Sequence, residues 1–337
     1  MLFFKKSRKN FFSLALVASS ILSFCAVNSV AAAENPAQKN IVWPSRSIKI
    51  VVGFSAGSTP DITARILALP LSKALGQSVI VENRPGASGN IAADVVAKAS
   101  DDHTLGIVIN GNLTSAKMLY PQLPYDPAKD FAPISLLTQA PLVLVAPANL
   151  PGGAAFFAAA INGGNTWNYG SVGIGSVAHL GMELLKSKTP GLLPLQVPFP
   201  GNPQVITAML GGQLQMALIG PGVAMPQVRS GKLRAIGLTS GRSALAPEVP
   251  SLQEAGGPNL QLEVWNALVG PARLPLAAQA RLAEIVPQIL RDPEIRQQLF
   301  NQGWQAVGSS PEGLKTRIKD ETRLLGNIIK TRGIKLE

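Results

Sequence analysis

A chain of 337 residues with 46% hydrophobic and 15% charged residues is neither disordered nor a coiled coil, and its length suits two domains with ample core. The 32 glycines and 27 prolines favour many turns over a long helical bundle. Thirty Lys and Arg against nineteen Asp and Glu give a net charge of +11, part of which sits in a segment expected to be removed.

That segment is residues 1–33. Lys5, Lys6, Arg8 and Lys9 precede an uncharged apolar stretch over 11–27, and Ala31 and Ala33 supply the small residues of a signal-peptidase site. Seventeen residues containing four serines is short for a membrane span, so cleavage after Ala33 is expected, leaving Glu34 first. Phe24 stands where lipoprotein processing at Cys25 needs a small residue. The mature chain of 304 residues carries net +7 and no cysteine, which excludes disulfides, a thiol nucleophile and thiolate metal sites. A periplasmic location fits best.

The remaining positive charge does not point to nucleic acid. Residues 272–337 hold eleven Lys and Arg against seven Asp and Glu, spread singly and without aromatic interleaving. A modest positive field draws in small anions.

In chain order, IKIVVGF (48–54) reads as a buried strand and DITARILALPLSKAL (61–75) as the helix that follows. SVIVEN (78–83), IAADVVAKA (91–99) and TLGIVIN (104–110) continue as strand, helix and strand. Runs this apolar, separated by helices, predict a mostly parallel sheet covered on both sides. PISLLTQAPLVLVAPA (133–148) is too long for one strand and carries Pro141, so it is expected to leave the first sheet. The alternation restarts with WNYGSVG, a helix over 176–188, LPLQVPF, a helix over 202–210, QLQMALIG, a helix over 223–230 and KLRAIGLTS. LQLEVWNALVGPA (260–272) then leads back to two terminal helices, the last with Leu314, Ile318, Leu325, Ile328 and Ile329 as one apolar stripe. The expectation is an α/β fold of two lobes around a cleft. Residues 46–140 plus 262–337 form lobe 1, and 141–261 form an inserted lobe 2.

Ligands of such sheets bind beyond the carboxyl ends of the strands. The first loop there is GFSAGSTPD (53–61), where Ser58 and Thr59 precede Pro60 and Asp61 at a helix start. An ordinary capped turn with Asp61 paired to Arg65 is the plain alternative. The second is NYGSVGIGSVAHLG (168–181), whose GxGxxA string formally matches the dinucleotide fingerprint. No acidic residue lies between Lys186 and Gly201 to hold a ribose, so a nicotinamide cofactor is set aside and a second anion-accepting helix start remains. Catalysis has little to work with. The histidines are His103, expected to be solvated beside Asp101 and Asp102, and His179, which is either structural or lines the cleft. No HExxH or P-loop occurs, and neither a metal nor a cofactor is expected.

Several strings together resemble one family. IKIVVGFSAGSTPDITAR is similar to its strand–loop–helix opening, normally FxAGGxxD with an Arg four residues on, and VENRPGASGNIAADVVAKA resembles its VENRPGAGG segment. LPYDPAKDFAPISLL, NYGSVGIGSVAHL, GGQLQMAL, SGKLRAIGLTSGR and VPSLQEAG fall in the family's order. The chain resembles the extracytoplasmic solute receptors of tripartite tricarboxylate transporters, the Bug receptors, over nearly its whole mature length. That resemblance implies a two-lobed, flytrap-like (type II-like) periplasmic binding protein, not an enzyme. It implies a monomer that delivers a small carboxylate to membrane permease subunits.

Carried over, the expected ligand-binding residues are Phe54, Ser55, Ala56, Gly57, Ser58 and Asp61 in the first lobe, with Asn110 and Gly111 on the floor. Ser171, Gly173, Gly175, Ser176, His179 and Phe199 face them from the second lobe. Three departures stand out. Ser58 replaces the family's second glycine, QVPFPG (196–201) replaces HVPYKG, and ALIGP (217–221) lacks a polar residue usual there. The second lobe's pocket is therefore more apolar, which disfavours citrate and favours a mono- or dicarboxylate with an apolar or aromatic body. A sensor presenting its closed form to a membrane partner is the alternative function, and a secreted hydrolase a lesser one.

Overall fold

The computed structural model describes residues 43–334, so the export signal expected over 1–33 lies outside the described residues. The chain begins with β1 (Ile48–Val52), α1 (Thr59–Leu75), β2 (Val79–Asn83), α2 (Asn90–Ala97) and β3 (Thr104–Ile109). Short helices α3 (Asn110–Leu113) and α4 (Ala116–Leu119) follow. β3 is buried throughout, and α1 presents Leu67, Leu71 and Leu75 to the core at four-residue spacing. Gly76, at φ 70, closes α1 by donating its N–H to the Ser72 carbonyl.

The long apolar stretch divides into β4 (Phe131–Pro141) and β5 (Val143–Pro147), which belong to different sheets. The second series is α5 (Gly153–Gly163), β6 (Asn168–Ser171), α6 (Val177–Lys188), β7 (Leu195–Pro198), α7 (Asn202–Leu210), β8 (Met216–Ile219), α8 (Pro221–Arg229) and β9 (Leu233–Leu238). β10 (Glu263–Pro271) returns to the first sheet, followed by α9 (Leu276–Arg291), α10 (Pro293–Asn301), β11 (Gln305–Ala306) and α11 (Pro311–Arg332).

The first sheet has the order β11-β4-β10-β3-β1-β2 and the second β7-β6-β8-β5-β9. The fold is the expected two-lobed α/β architecture, but the sheets are mixed rather than mostly parallel. Only β1 with β2 and β3, and β6 with β7 and β8, pair in parallel. β4, β10 and β5 pair antiparallel with every neighbour. The reason is their connectivity: β4 leads out to the other lobe and β10 returns from it, so no crossover helix within the sheet forces a parallel pairing between them.

Both crossings are clamped by one side chain. Thr239 is fully buried, accepts the Leu142 N–H on its hydroxyl at 2.9 Å and donates that hydroxyl to the Leu262 carbonyl at 2.7 Å. Its own N–H reaches the Leu142 carbonyl at 2.9 Å. Apolar packing is continuous across the lobes, with Leu119, Leu142, Val177 and Val264 in one buried cluster. α11 buries Leu314, Leu325, Ile328 and Ile329, half-buries Ile318, and packs on both β4 and α6.

Two further expectations are corrected. Three helices, not two, end the chain, because Pro293 cannot continue α9 and Asp292 caps a new helix by accepting the Glu294 and Ile295 N–H groups. His103 is buried, not solvated. The segment at Trp43–Ser45 folds over it, the Ser45 N–H donating to His103 Nε2 at 3.0 Å, while Asp102 contacts its Nδ1 at 2.5 Å.

Candidate ligand site between the lobes

Four helices start at the carboxyl ends of strands and converge on the space between the lobes. They are α1 from the first lobe and α6, α7 and α8 from the second. The opening N–H groups of a helix have no intrahelical acceptor. α1, α7 and α8 also lack a side-chain cap, so apart from Pro60, Pro203 and Pro221, which carry no N–H, and Val223, whose N–H reaches the Gly220 carbonyl, these donors are not consumed by caps. Thr59, Val177, Ala178 and Asn202, all in first turns, line an inner pocket of about 30 Å³ together with Phe54 and Val172. That volume admits a few water-sized groups and no ring. Phe54 and Val172 also line an outer groove of about 420 Å³, so the two spaces meet at these residues. Ser88 and Tyr120 of the first lobe, and Gly173 and Phe199 of the second, wall the groove. Among the described residues, neither lining contains a Lys, Arg, Asp or Glu. A bound anion would be held by helix-start N–H groups and hydroxyls, not by a counter-charge.

The expected site residues divide by what their side chains do. Phe54 and Ser58 line the inner pocket, and Phe199 and Gly173 line the groove. Ser55 bridges the lobes by donating to Gln204 Oε1 at 3.1 Å. Ala56 and Gly57 are exposed, with Gly57 lying beside Pro203 of the second lobe.

Asp61 is buried and spent on the loop itself. Its carboxylate accepts the Gly57 N–H at 2.9 Å, Arg65 Nε at 3.0 Å and Asn83 Nδ2 at 2.8 Å, and Asn83 Nδ2 also donates to the Phe54 carbonyl at 2.9 Å. Burial alone would raise its pKa, but the Arg65, Gly57 and Asn83 hydrogen bonds outweigh it and hold the carboxyl below the usual range. Asn110 is likewise turned away from the cleft. Its amide donates to Glu321 Oε1 at 2.5 Å and to the Glu263 carbonyl at 3.1 Å, and Ile109 lines the inner pocket in its place. Burial pushes the Glu321 carboxyl up, against hydrogen bonds from Trp265, Asn110 and Arg317.

The second-lobe loop is organised in the same way. Ser171 Oγ takes Gln196 Nε2 at 2.7 Å and the Gly173 N–H at 3.3 Å. Ser176 caps α6 by accepting the His179 N–H at 3.3 Å and donates its hydroxyl to the Gly173 carbonyl at 2.7 Å. His179 Nδ1 accepts the Gly175 N–H at 3.1 Å. This bond requires the neutral ring. Burial lowers its pKa to about 4, with Lys186 adding to the effect and Glu183 opposing it.

The loop then meets the first lobe directly. Tyr120 OH donates to the Ile174 carbonyl at 2.8 Å and Ser115 Oγ to the Gly175 carbonyl at 2.8 Å. Glycine is required at 173 and 175. Both have positive φ, and a Cβ at 173 would strike Ser88 Oγ while one at 175 would lie 2.8 Å from Leu119 Cδ1. Gly111 packs opposite, where a Cβ would lie 3.0 Å from the Gly175 carbonyl.

The residues expected from the sequence omitted Thr59, Val172 and Ala178, although these lie in the two loops singled out, and also Asn202, Ser88 and Tyr120. The first four each sit at a strand end or the helix start that follows it, a signal present in the sequence. Tyr120 carries none.

The profile described as the tripartite tricarboxylate transporter family receptor matches residues 63–334. The chain belongs to this receptor family. The receptor is 30% identical over 313 residues to protein BugT of Bordetella pertussis, covering 88% of this chain and 92% of BugT. Among solved structures it resembles MatC from Rhodopseudomonas palustris with bound malate, at 31% identity and a TM-score of 0.80, covering 85% of this chain and 100% of MatC. R. palustris Rpa4515 with adipate is similar at 30% identity and a TM-score of 0.83, covering 87% of this chain and 100% of Rpa4515. The family is one of solute receptors rather than enzymes. Among the described residues, no group of three or more His, Cys, Asp or Glu could hold a metal ion. No helix among them is long and apolar enough to cross a membrane.

Proposed function

We propose that this receptor is exported to the periplasm by cleavage near Ala33. There it binds a small organic carboxylate between its lobes and hands it to a transporter permease. The ligand sits between a lobe of residues 46–140 plus 262–337 and an inserted lobe of 141–261. The observation that carries the reading is the convergence of the α1, α6, α7 and α8 starts on one pocket without a charged side chain in its lining. Desolvated N–H groups at helix starts favour an anion, and charge-assisted hydrogen bonds contribute roughly 1.5–3 kcal/mol each. Malate and adipate in MatC and Rpa4515 support a carboxylate as that anion. Ligand that touches both lobes binds the closed form better than the open one, and this differential affinity drives closure.

The test is a thermal-shift panel of malate, adipate, citrate, benzoate and 3-phenylpropionate at pH 7.5, with the matching amides as controls. A ligand at 100 times its Kd stabilises by about 2.7 kcal/mol, a plainly visible shift. At least one acid should raise Tm and its amide should not. A panel with no shift, or with equal shifts from amides, contradicts the proposal.

A further inference from the structure

The groove beyond the inner pocket bears on which carboxylate this receptor takes, an inference that rests on the carboxylate reading above. The inner pocket, at about 30 Å³, admits a carboxylate head but no ring, so the rest of any ligand lies in the outer groove. Among the described residues, that groove carries no charged side chain, and several of its donors are missing or engaged. Pro85, Pro198 and Pro200 line it and carry no N–H. The N–H groups of Gly89, Gly173 and Phe199 are engaged by the Gly86 carbonyl, Ser171 Oγ and the Ser171 carbonyl. Its two hydroxyls are engaged as well, since Ser88 Oγ and Tyr120 OH both donate to the Ile174 carbonyl. A second carboxylate in this groove would lose water without gaining a counter-charge. Phe54 and Phe199, by contrast, line it with apolar rings from opposite lobes.

We infer that the ligand is an aromatic monocarboxylate, its single charge at the helix starts and its ring in the groove between Phe54 and Phe199. Selectivity follows from the same walls: 3-phenylpropionate buries its ring where malate and adipate place a polar or charged group.

Calorimetric titration of the folded full-length mature protein with 3-phenylpropionate, benzoate, adipate and malate tests this. At least one aromatic acid should bind ten-fold or more tighter than adipate and malate. Phe199→Ala should weaken that acid about ten-fold and adipate less than two-fold, with circular dichroism confirming the fold. Phe199→Tyr combined with Pro200→Lys introduces a hydroxyl and a cation, and should move the preference toward adipate by at least ten-fold. It carries the test if the alanine variant does not fold. Adipate or malate binding as tightly as the aromatic acids, or a wild-type preference that neither variant alters, overturns the inference while leaving the carboxylate reading intact. Absence of binding by all four acids overturns both.

Discussion

Ser88 of the first lobe holds the second lobe by the Ile174 carbonyl, donating its hydroxyl at 2.7 Å from a backbone at φ 56, ψ 32. With Ala87, it is one of the two non-glycine residues of positive φ among the described residues. A left-handed conformation costs an L-residue roughly 1–2 kcal/mol, and it persists here because the Ser88 hydroxyl is used across the cleft. Tyr120 donates to the same carbonyl, and the two hydroxyls lie 3.0 Å apart.

Ser88→Gly should therefore separate affinity from stability. Glycine relieves the backbone strain while adding freedom to the unfolded chain, so stability should change by less than about 1 kcal/mol. The lost hydrogen bond, worth about 0.5–1.5 kcal/mol, should weaken ligand binding roughly two- to ten-fold through faster dissociation. Stopped-flow dissociation and thermal melts on the same sample check both halves. An unchanged dissociation rate would show that the contact contributes nothing to closure.

Asp61→Asn should weaken both the fold and the binding. The carboxylate holds Gly57, Arg65 and Asn83, and through Asn83 the Phe54 carbonyl, so the amide leaves at least one of these donors unpaired. A loss of roughly 1–3 kcal/mol is expected in chemical denaturation, with binding at least ten-fold weaker because Phe54 lines both spaces. Near-wild-type values for the variant would mean that the loop keeps its shape without the charge.

His179 predicts a specific pH dependence. Its folded pKa of about 4 lies below the ordinary value of 6.5, so the folded state prefers the neutral ring. Its contribution is complete above pH 6.5 and is lost as pH falls toward 4, by on the order of 3 kcal/mol. Glu321, with its carboxyl raised by burial, acts in the opposite sense and gains stability on acidification. His179→Gln removes only the first effect, so its denaturation profile between pH 6.5 and 4 should fall less steeply than that of wild type. Parallel profiles would mean that the imidazole stays accessible to protons in the folded state.

Gly175→Val should block closure rather than remove a ligand contact. Its φ of 80 disfavours a β-branched residue, and its Cβ would press on Leu119 of the other lobe. Small-angle scattering should give a larger radius of gyration for the variant than for wild type with saturating ligand, and calorimetry at least a hundred-fold weaker binding. A variant that closes normally would place the lobe contact elsewhere.

The lobes were legible because burial leaves a strong pattern. β1, β2 and β3 are short β-branched runs, and Pro141 marks where β4 ends and the chain leaves its sheet. α5 passed unread because GAAFFAAAING has apolar residues on most faces and no polar cap. The Asp292–Pro293 signal between α9 and α10 was present and was read through. In the site, the loops were legible but the directions of their side chains were not. Asp61, His179 and Asn110 are polar residues at strand ends and helix starts, which suits a ligand or a scaffold equally. Their partners decide it, and Asn83 and Glu321 lie 22 and 211 residues away in sequence.

A crystal structure of the receptor with the tightest-binding acid of the panel tests the central claim most directly. The account predicts one carboxylate within hydrogen-bond reach of the N–H groups of Thr59, Val177, Ala178 or Asn202, with the body of the ligand running past Phe54 toward Phe199. A carboxylate paired with a lysine or arginine on the outer face of either lobe, with the space between the helix starts filled by protein, would contradict it.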